Sequence, residues 1–164
     1  MKQHLNLYSK NKKLLPMKYI RTPKDIWAKL SNEFNFTVDA CASDINHLVD
    51  RYWTKEDSAL EKNWDGEVIY CHPMYDRNIP KFIEKAASSK CLCVFLLPSS
   101  TNSVYFHKYF WDNENNAPHQ NVEIRFLEKP KGGYGFKFND EHDNEPKTGY
   151  LRPLMIVVMD NRII

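Results

Sequence analysis

At 164 residues, with 42% apolar and 13% aromatic side chains, the chain can close one sizeable core, is too rich in large apolar groups to be disordered, and leaves little length for a separate recognition domain. No apolar run reaches the length that crosses a bilayer, and the N-terminus lacks the apolar centre of a secretory leader, so a cytoplasmic location is expected. The formal charge of +2 is uneven: residues 1–24 hold seven basic and no acidic side chains, which leaves about −5 on the remainder.

Residues 1–18 therefore read as a basic N-terminal arm, suited to a polyanion or simply a solvated terminus, ahead of a single domain over 19–164. The four cysteines, Cys41, Cys71, Cys91 and Cys93, form no metal-type pair. Cys91 and Cys93 share one face of a predicted strand, and Cys71 points away from its neighbour His72, so buried free thiols and no metal site are expected.

In chain order, Thr22-Pro23-Lys24-Asp25 reads as a helix start. Thr22 suits the N-cap, Pro23 the first helical position, and Asp25 can reach back as in a capping box. Ile26, Trp27, Leu30 and Phe34 follow at helical spacing. Phe36 to Cys41 reads as a first strand with Asp39 near its carboxyl end, then a loop from Ala42 to His47 and a short strand at Tyr52 to Thr54. Glu56 to Leu60 is a turn or short helix, and Trp64-Asp65-Gly66 is a turn.

The run from Glu67 to Cys71 reads as a buried strand that breaks at Pro73, which cannot donate to a central ladder. Asn78 suits the cap of a helix carrying Ile79, Phe82, Ile83 and Ala86. Cys91 to Leu97 is a continuous apolar strand ending at Pro98. Ser99 to Ser103 is a polar loop that caps a helix from Val104 to Phe110. A loop from Asp112 to Gln120 leads to an alternating strand over Val122 to Leu127. Lys131 to Phe138 is a glycine-rich ribbon, and Leu154 to Met159 a last buried strand. Strands that alternate with helices and then run on without one predict a Rossmann-like α/β fold, a mixed sheet with antiparallel C-terminal strands.

Three loops, after Asp39, after Cys71 and after Leu97, should then meet at the carboxyl edge of one sheet, where open α/β folds bind ligands. An acidic group at the first and the Tyr75 ring at the second would suit a nucleoside-like ligand. Asp39 as a turn cap and Tyr75 as a half-buried surface ring is the plainer alternative.

The ensemble resembles the phage-type DNA adenine-N6 methyltransferases, small enzymes that use S-adenosylmethionine. The resemblance runs over roughly residues 19 to 160, in family order. It is carried by Arg21-Thr22-Pro23, Phe36-Thr37-Val38-Asp39-Ala40-Cys41-Ala42 with Asn46, Tyr52-Trp53-Thr54 leading to Asp57-Ser58-Ala59-Leu60, and Trp64-Asp65-Gly66. Phe82 to Ala86 and the series Leu96 to His107 complete it.

The resemblance implies an S-adenosylmethionine-dependent methyltransferase fold, with Thr22, Pro23 and Asp39, Ala40, Cys41 and Ala42 holding the methionine end of the cofactor and Asp57 near its adenosine. It implies DNA as the partner and methyl transfer to the N6 amine of adenine, with phage anti-restriction as the setting. His72, Pro73 and Tyr75 then occupy the family's Asn/Asp-Pro-Pro-Tyr motif, whose first side chain and next carbonyl accept from the target amine while the aromatic stacks on the extruded base.

Here that motif reads His72-Pro73-Met74-Tyr75. Neutral His72 offers one acceptor nitrogen and loses it on protonation, and Met74 frees a backbone angle that proline fixes. Two alternatives follow: a catalytically inactive relative that binds cofactor or DNA, and methylation of a different base. A second departure is the Lys/Gly-rich stretch from Glu128 to Gly133, where the family carries a compact Gly-Arg element. That stretch reads as a remodelled DNA-contact loop or as an ordinary hairpin.

Overall fold

The computed structural model of the chain describes residues 20–133, 135–140, 142–145 and 149–162. The basic arm lies outside the described residues. In chain order the elements are α1 (Lys24–Glu33), β1 (Val38–Asp39), a one-turn 3-10 helix (Ala59–Glu61), β2 (Val68–Cys71), α2 (Ile79–Ala87) and β3 (Leu92–Pro98). They continue with α3 (Val104–Tyr109), β4 (Trp111–Asp112), β5 (Ala117–Pro118), β6 (Val122–Phe126) and β7 (Leu154–Asp160).

Five strands form one sheet in the order β1-β2-β3-β7-β6. β1, β2 and β3 are parallel, while β7 is antiparallel to both β3 and β6. The predicted mixed sheet with an antiparallel tail is therefore what the chain forms. Its parallel half places Asp39, Cys71 and Pro98 at the same edge.

The sheet is covered on both faces, which is why β3 and β7 read as unbroken apolar runs. Period-two alternation assigns the faces. Cys91, Cys93, Phe95 and Leu97 pack with Met155, Val157 and Met159 under Ile79, Ile83 and Ala86 of α2 and Phe106 and Phe110. Leu92, Val94 and Leu96 pack with Leu154, Ile156 and Val158 under Ile26 and Leu30 of α1 and the rings of Phe136 and Phe138. Each of these large side chains stabilises the fold by about 1.5–3 kcal/mol when fully buried.

Two local expectations are corrected. Thr22 is not the cap of α1: Pro23 occupies that position, no side chain caps it, and Trp27 N–H donates to the Pro23 carbonyl at 3.0 Å. The Thr22 hydroxyl is instead bound within the site described below. The stretch read as a loop after α3 contains the short β4–β5 hairpin, Trp111 against Pro118 and Asp112 against Ala117. The Ser103 cap of α3 is as expected, its hydroxyl accepting from Phe106 N–H at 3.3 Å.

The segment after β6 forms no long strand, yet it is tied to the site edge. Phe136 and Tyr150 exchange backbone hydrogen bonds at 3.0 and 2.6 Å. Gly135 allows this approach: its φ is +103°, and a Cβ there would collide with the Tyr150 carbonyl. Arg21 N–H donates to the Asn139 carbonyl at 2.8 Å, which fixes the chain just before Thr22.

Candidate active site

The loop after β1 is braced by two polar side chains. The Asp39 carboxylate, 3% exposed, accepts from Cys41 N–H at 3.2 Å and Leu48 N–H at 3.1 Å. Burial pushes its pKa up to about 6, against the pull of those two donors. Asn46 Oδ1 accepts from Ser43 N–H at 2.7 Å and from Ser43 Oγ at 3.1 Å. The loop is thus closed on itself without help from a ligand.

Beyond this loop lies a cavity of about 270 Å³, near the small end of the range for small-molecule sites. One wall is Ala40, Cys41, Ala42 and Ser43; the second is Trp53 to Lys55 with Ser58, Ala59 and Leu60. The third comes from the loop after β2, through His72, Pro73 and Met74, with Phe82 of α2 beside it. Small side chains clear the volume, while Trp53 and Phe82 contribute flat apolar surface.

The expected cofactor residues divide on this geometry. Ala40, Cys41 and Ala42 line the cavity, but Thr22, Pro23, Asp39 and Asp57 do not. Thr22 and Asp39 border a smaller polar cavity of about 10 Å³, shared with Asn46, Tyr70 and His72. Asp57 braces its own turn: Oδ2 accepts from Thr54 N–H at 2.9 Å and Thr54 Oγ1 at 3.0 Å, and Lys62 lies 3.8 Å from Oδ1. Residues that follow it, Ser58 to Leu60, are the ones on the wall.

The motif loop is organised around His72, 8% exposed. Its Nδ1 lies 3.1 Å from Thr22 Oγ1 and its Nε2 3.1 Å from the Tyr75 hydroxyl. Thr22 Oγ1 in turn lies 2.6 Å from the Tyr70 hydroxyl. Burial pushes the His72 pKa down to about 3, so the ring is neutral near pH 7. Both ring nitrogens are therefore engaged inside the protein, where a free acceptor nitrogen was expected.

Tyr75 sits in an aromatic group, its ring centroid 5.5 Å from Tyr150, 6.1 Å from Phe138 and 5.4 Å from His72. At the far side of the loop, Asp76 Oδ1 takes the Asn78 N–H at 2.7 Å, so Asp76 rather than the Asn78 side chain organises the start of α2. Cys41 and Cys71 bring their sulfurs to 3.7 Å, and burial pushes both thiols well up from their usual range.

Tyr70, Phe138 and Tyr150 were not anticipated as site residues. Period two along β2 puts Tyr70 on the same face as His72, and that signal was readable. Phe138 and Tyr150 come from irregular segments that carry no such period.

A family model described as DNA N-6-adenine-methyltransferase (Dam) matches residues 11–161, which takes in every strand and helix described above. Among curated proteins, none matches the chain. No helix among the described residues is long and apolar enough to cross a membrane. The mixed α/β sheet, the cavity at its carboxyl edge and the extent of this match agree. The chain belongs to the DNA N-6-adenine-methyltransferase family, whose members in general methylate adenine N6 in DNA with S-adenosylmethionine.

Proposed function

We propose that this chain binds S-adenosylmethionine in the 270 Å³ cavity and methylates the N6 amine of an adenine in DNA, in the service of phage protection against restriction. One observation carries the reading: the wall from Ala40 to Ser43 and the motif residues His72 and Pro73 face a single cavity. A cofactor held by the first wall would thus lie beside a base held by the motif loop.

The residues fit the cofactor. Ala40, Ala42, Ser58 and Ala59 leave room, and Phe82 and Trp53 offer rings for a purine. When bound, S-adenosylmethionine supplies an electrophilic methyl group. The chain's own part is orientation and exclusion of water. Pro73, with no N–H of its own, contributes a carbonyl that accepts from the target amine. Tyr75 supplies the ring on which an extruded base stacks, backed by Phe138 and Tyr150. The arm of residues 1–18 contacts phosphates, and its deletion should flatten the salt dependence of DNA binding.

The test is methyl transfer from labelled cofactor to unmethylated DNA, run beside a cofactor-binding titration. Label in DNA is expected. Cofactor binding with no label in DNA would remove the transfer reaction and leave a binding protein. That second reading, a cofactor- or DNA-binding relative that no longer transfers, is favoured by the engagement of both His72 nitrogens.

A further inference from the structure

We propose that Tyr70 and Thr22 fix His72 as the tautomer with hydrogen on Nε2, making His72 a positioning residue for Tyr75 that offers a target amine no acceptor. The direction of the hydrogen bonds stands on the fold alone; only its consequence for an amine rests on the methyltransferase reading.

Four groups are joined end to end: the Tyr70 hydroxyl, 2.6 Å to Thr22 Oγ1, 3.1 Å to His72 Nδ1, then His72 Nε2 at 3.1 Å to the Tyr75 hydroxyl. Each hydroxyl has one proton, and a neutral imidazole has one N–H. If every contact holds one proton, three arrangements exist, one with hydrogen on Nε2 and two with hydrogen on Nδ1.

In the first, Tyr70 donates to Thr22, Thr22 donates to Nδ1, and Nε2–H donates to the Tyr75 oxygen. In the other two Nδ1–H donates to Thr22 and Tyr75 donates to Nε2, while either Thr22 donates to Tyr70 or Tyr70 still donates to Thr22. The two ends are not equivalent. Tyr70 is 1% exposed, and Thr22 is the hydrogen-bond partner of its hydroxyl among the described residues. Both Nδ1–H arrangements strand a buried hydroxyl proton, that of Tyr70 or that of Thr22, with no protein acceptor among the described residues, a penalty of about ten- to a hundredfold in population. Tyr75, half-buried, is the more open end of the relay, so the proton left there is the least costly to leave over. The first arrangement is the stable one.

The small cavity bordered by Tyr70, Asp39 and Asn46 has about the volume of one water. A water there that took the Tyr70 proton would permit the arrangement in which Thr22 donates to Tyr70. The neutrality of the ring follows from its burial and holds in either case.

The consequence for chemistry is specific. The motif position that accepts from an amine in relatives here presents an N–H, already given to Tyr75. An exocyclic amine would be held by the Pro73 carbonyl without a side-chain partner. The relay ends instead on the Tyr75 O–H, a donor.

The experiment is nitrogen NMR of the full-length protein with labelled histidine, the His72 signals being those lost in His72→Asn. A protonated Nε2 and a bare Nδ1 are expected in the natural protein. Thr22→Val removes the hydroxyl that donates to Nδ1 at nearly constant shape, and the Nε2–H form should then lose its preference. A natural protein with Nδ1–H, or with an even mixture, overturns the proposal whatever the variant does. The reading needs neither cofactor nor DNA: absence of methyl transfer leaves it standing, and its own failure leaves the methyltransferase reading standing.

Discussion

The two halves of the cavity are built on different principles. On the side proposed for the cofactor, polar side chains brace backbone: Asp39 holds Cys41 and Leu48, Asn46 holds Ser43, and Asp57 holds Thr54, with Asn46 alone of the three also on the cavity wall. What remains facing inward includes the small Ala40, Ala42, Ser43, Ser58 and Ala59. On the target side, side chains brace one another, through the Tyr70–Thr22–His72–Tyr75 relay and the rings of Phe138 and Tyr150. The half proposed for the cofactor depends on backbone shape and the half proposed for the target on the identity of single side chains. A departure from the family motif is therefore consequential in the second half.

The largest effect expected from this contrast follows restoration of the family motif. His72→Asn with Met74→Pro returns a side-chain acceptor and fixes the loop, and a positioned hydrogen bond in such a site is worth on the order of a hundredfold in rate or more. Single-turnover transfer to unmethylated DNA should rise by that order, with cofactor affinity unchanged within a few-fold. If transfer is equal in both proteins, the natural loop already does the work and the two halves are not so different.

The next effect is in stability, and its sign can be worked out. An unfolded histidine takes a proton near pH 6.5, but His72 in the fold takes one only near 3. Acidification therefore loads the unfolded chain first, and the stability associated with the neutral ring, complete above about pH 6.5, falls away toward pH 3. Between pH 7 and 5 the loss is about 2 kcal/mol.

Asp39, bordering the same small cavity, works the other way. Its carboxyl titrates near 6 in the fold against 3.8 outside it. Protonation thus favours the fold as pH drops, by about 1 kcal/mol over the same window. His72→Asn removes only the first effect. The variant should gain about 2 kcal/mol relative to the natural protein between pH 7 and 5, read by denaturant unfolding at each pH. A constant gap would mean that the ring takes a proton in the fold as readily as outside it.

This contrast also marks where sequence reading reached and where it stopped. β3 and β7 were legible because strands buried on both faces become unbroken apolar runs, and Ser103 was legible because a cap acts on its own helix. Thr22 has the same local signature but a different use: Tyr70 and His72 lie 48 and 50 residues away in sequence. The long-range bonds win, and Pro23 rather than Thr22 stands at the cap position. Ala40 to Ala42, His72 and Pro73 were locatable as ends of parallel strands. The shared role of Tyr70, Phe138 and Tyr150 needed the sheet order and the close pairing at Gly135, neither of which has a periodic signature. The β4–β5 hairpin was missed because strands of two residues show no alternation; Asn116, at φ +49°, was its one local cue.

The smallest expected effect separates two aspartates within the cofactor half. Asp39→Asn keeps one oxygen but turns an amide N–H₂ toward one of the two backbone donors now bound at 3.2 and 3.1 Å. The wall from Ala40 to Ser43 loses a brace, and cofactor affinity should fall about tenfold, the value of one charge-assisted hydrogen bond. Asp57→Asn keeps an oxygen for Thr54 in an exposed turn, and Asp57 itself is not on the cavity wall, so its effect on affinity should be smaller than that of Asp39→Asn. Titration of both variants with S-adenosylmethionine decides the order. A larger loss at Asp57 would mean that its carboxylate leaves Thr54 to contact the cofactor directly, as the family resemblance alone implies, and that this half too relies on a side chain rather than on backbone shape.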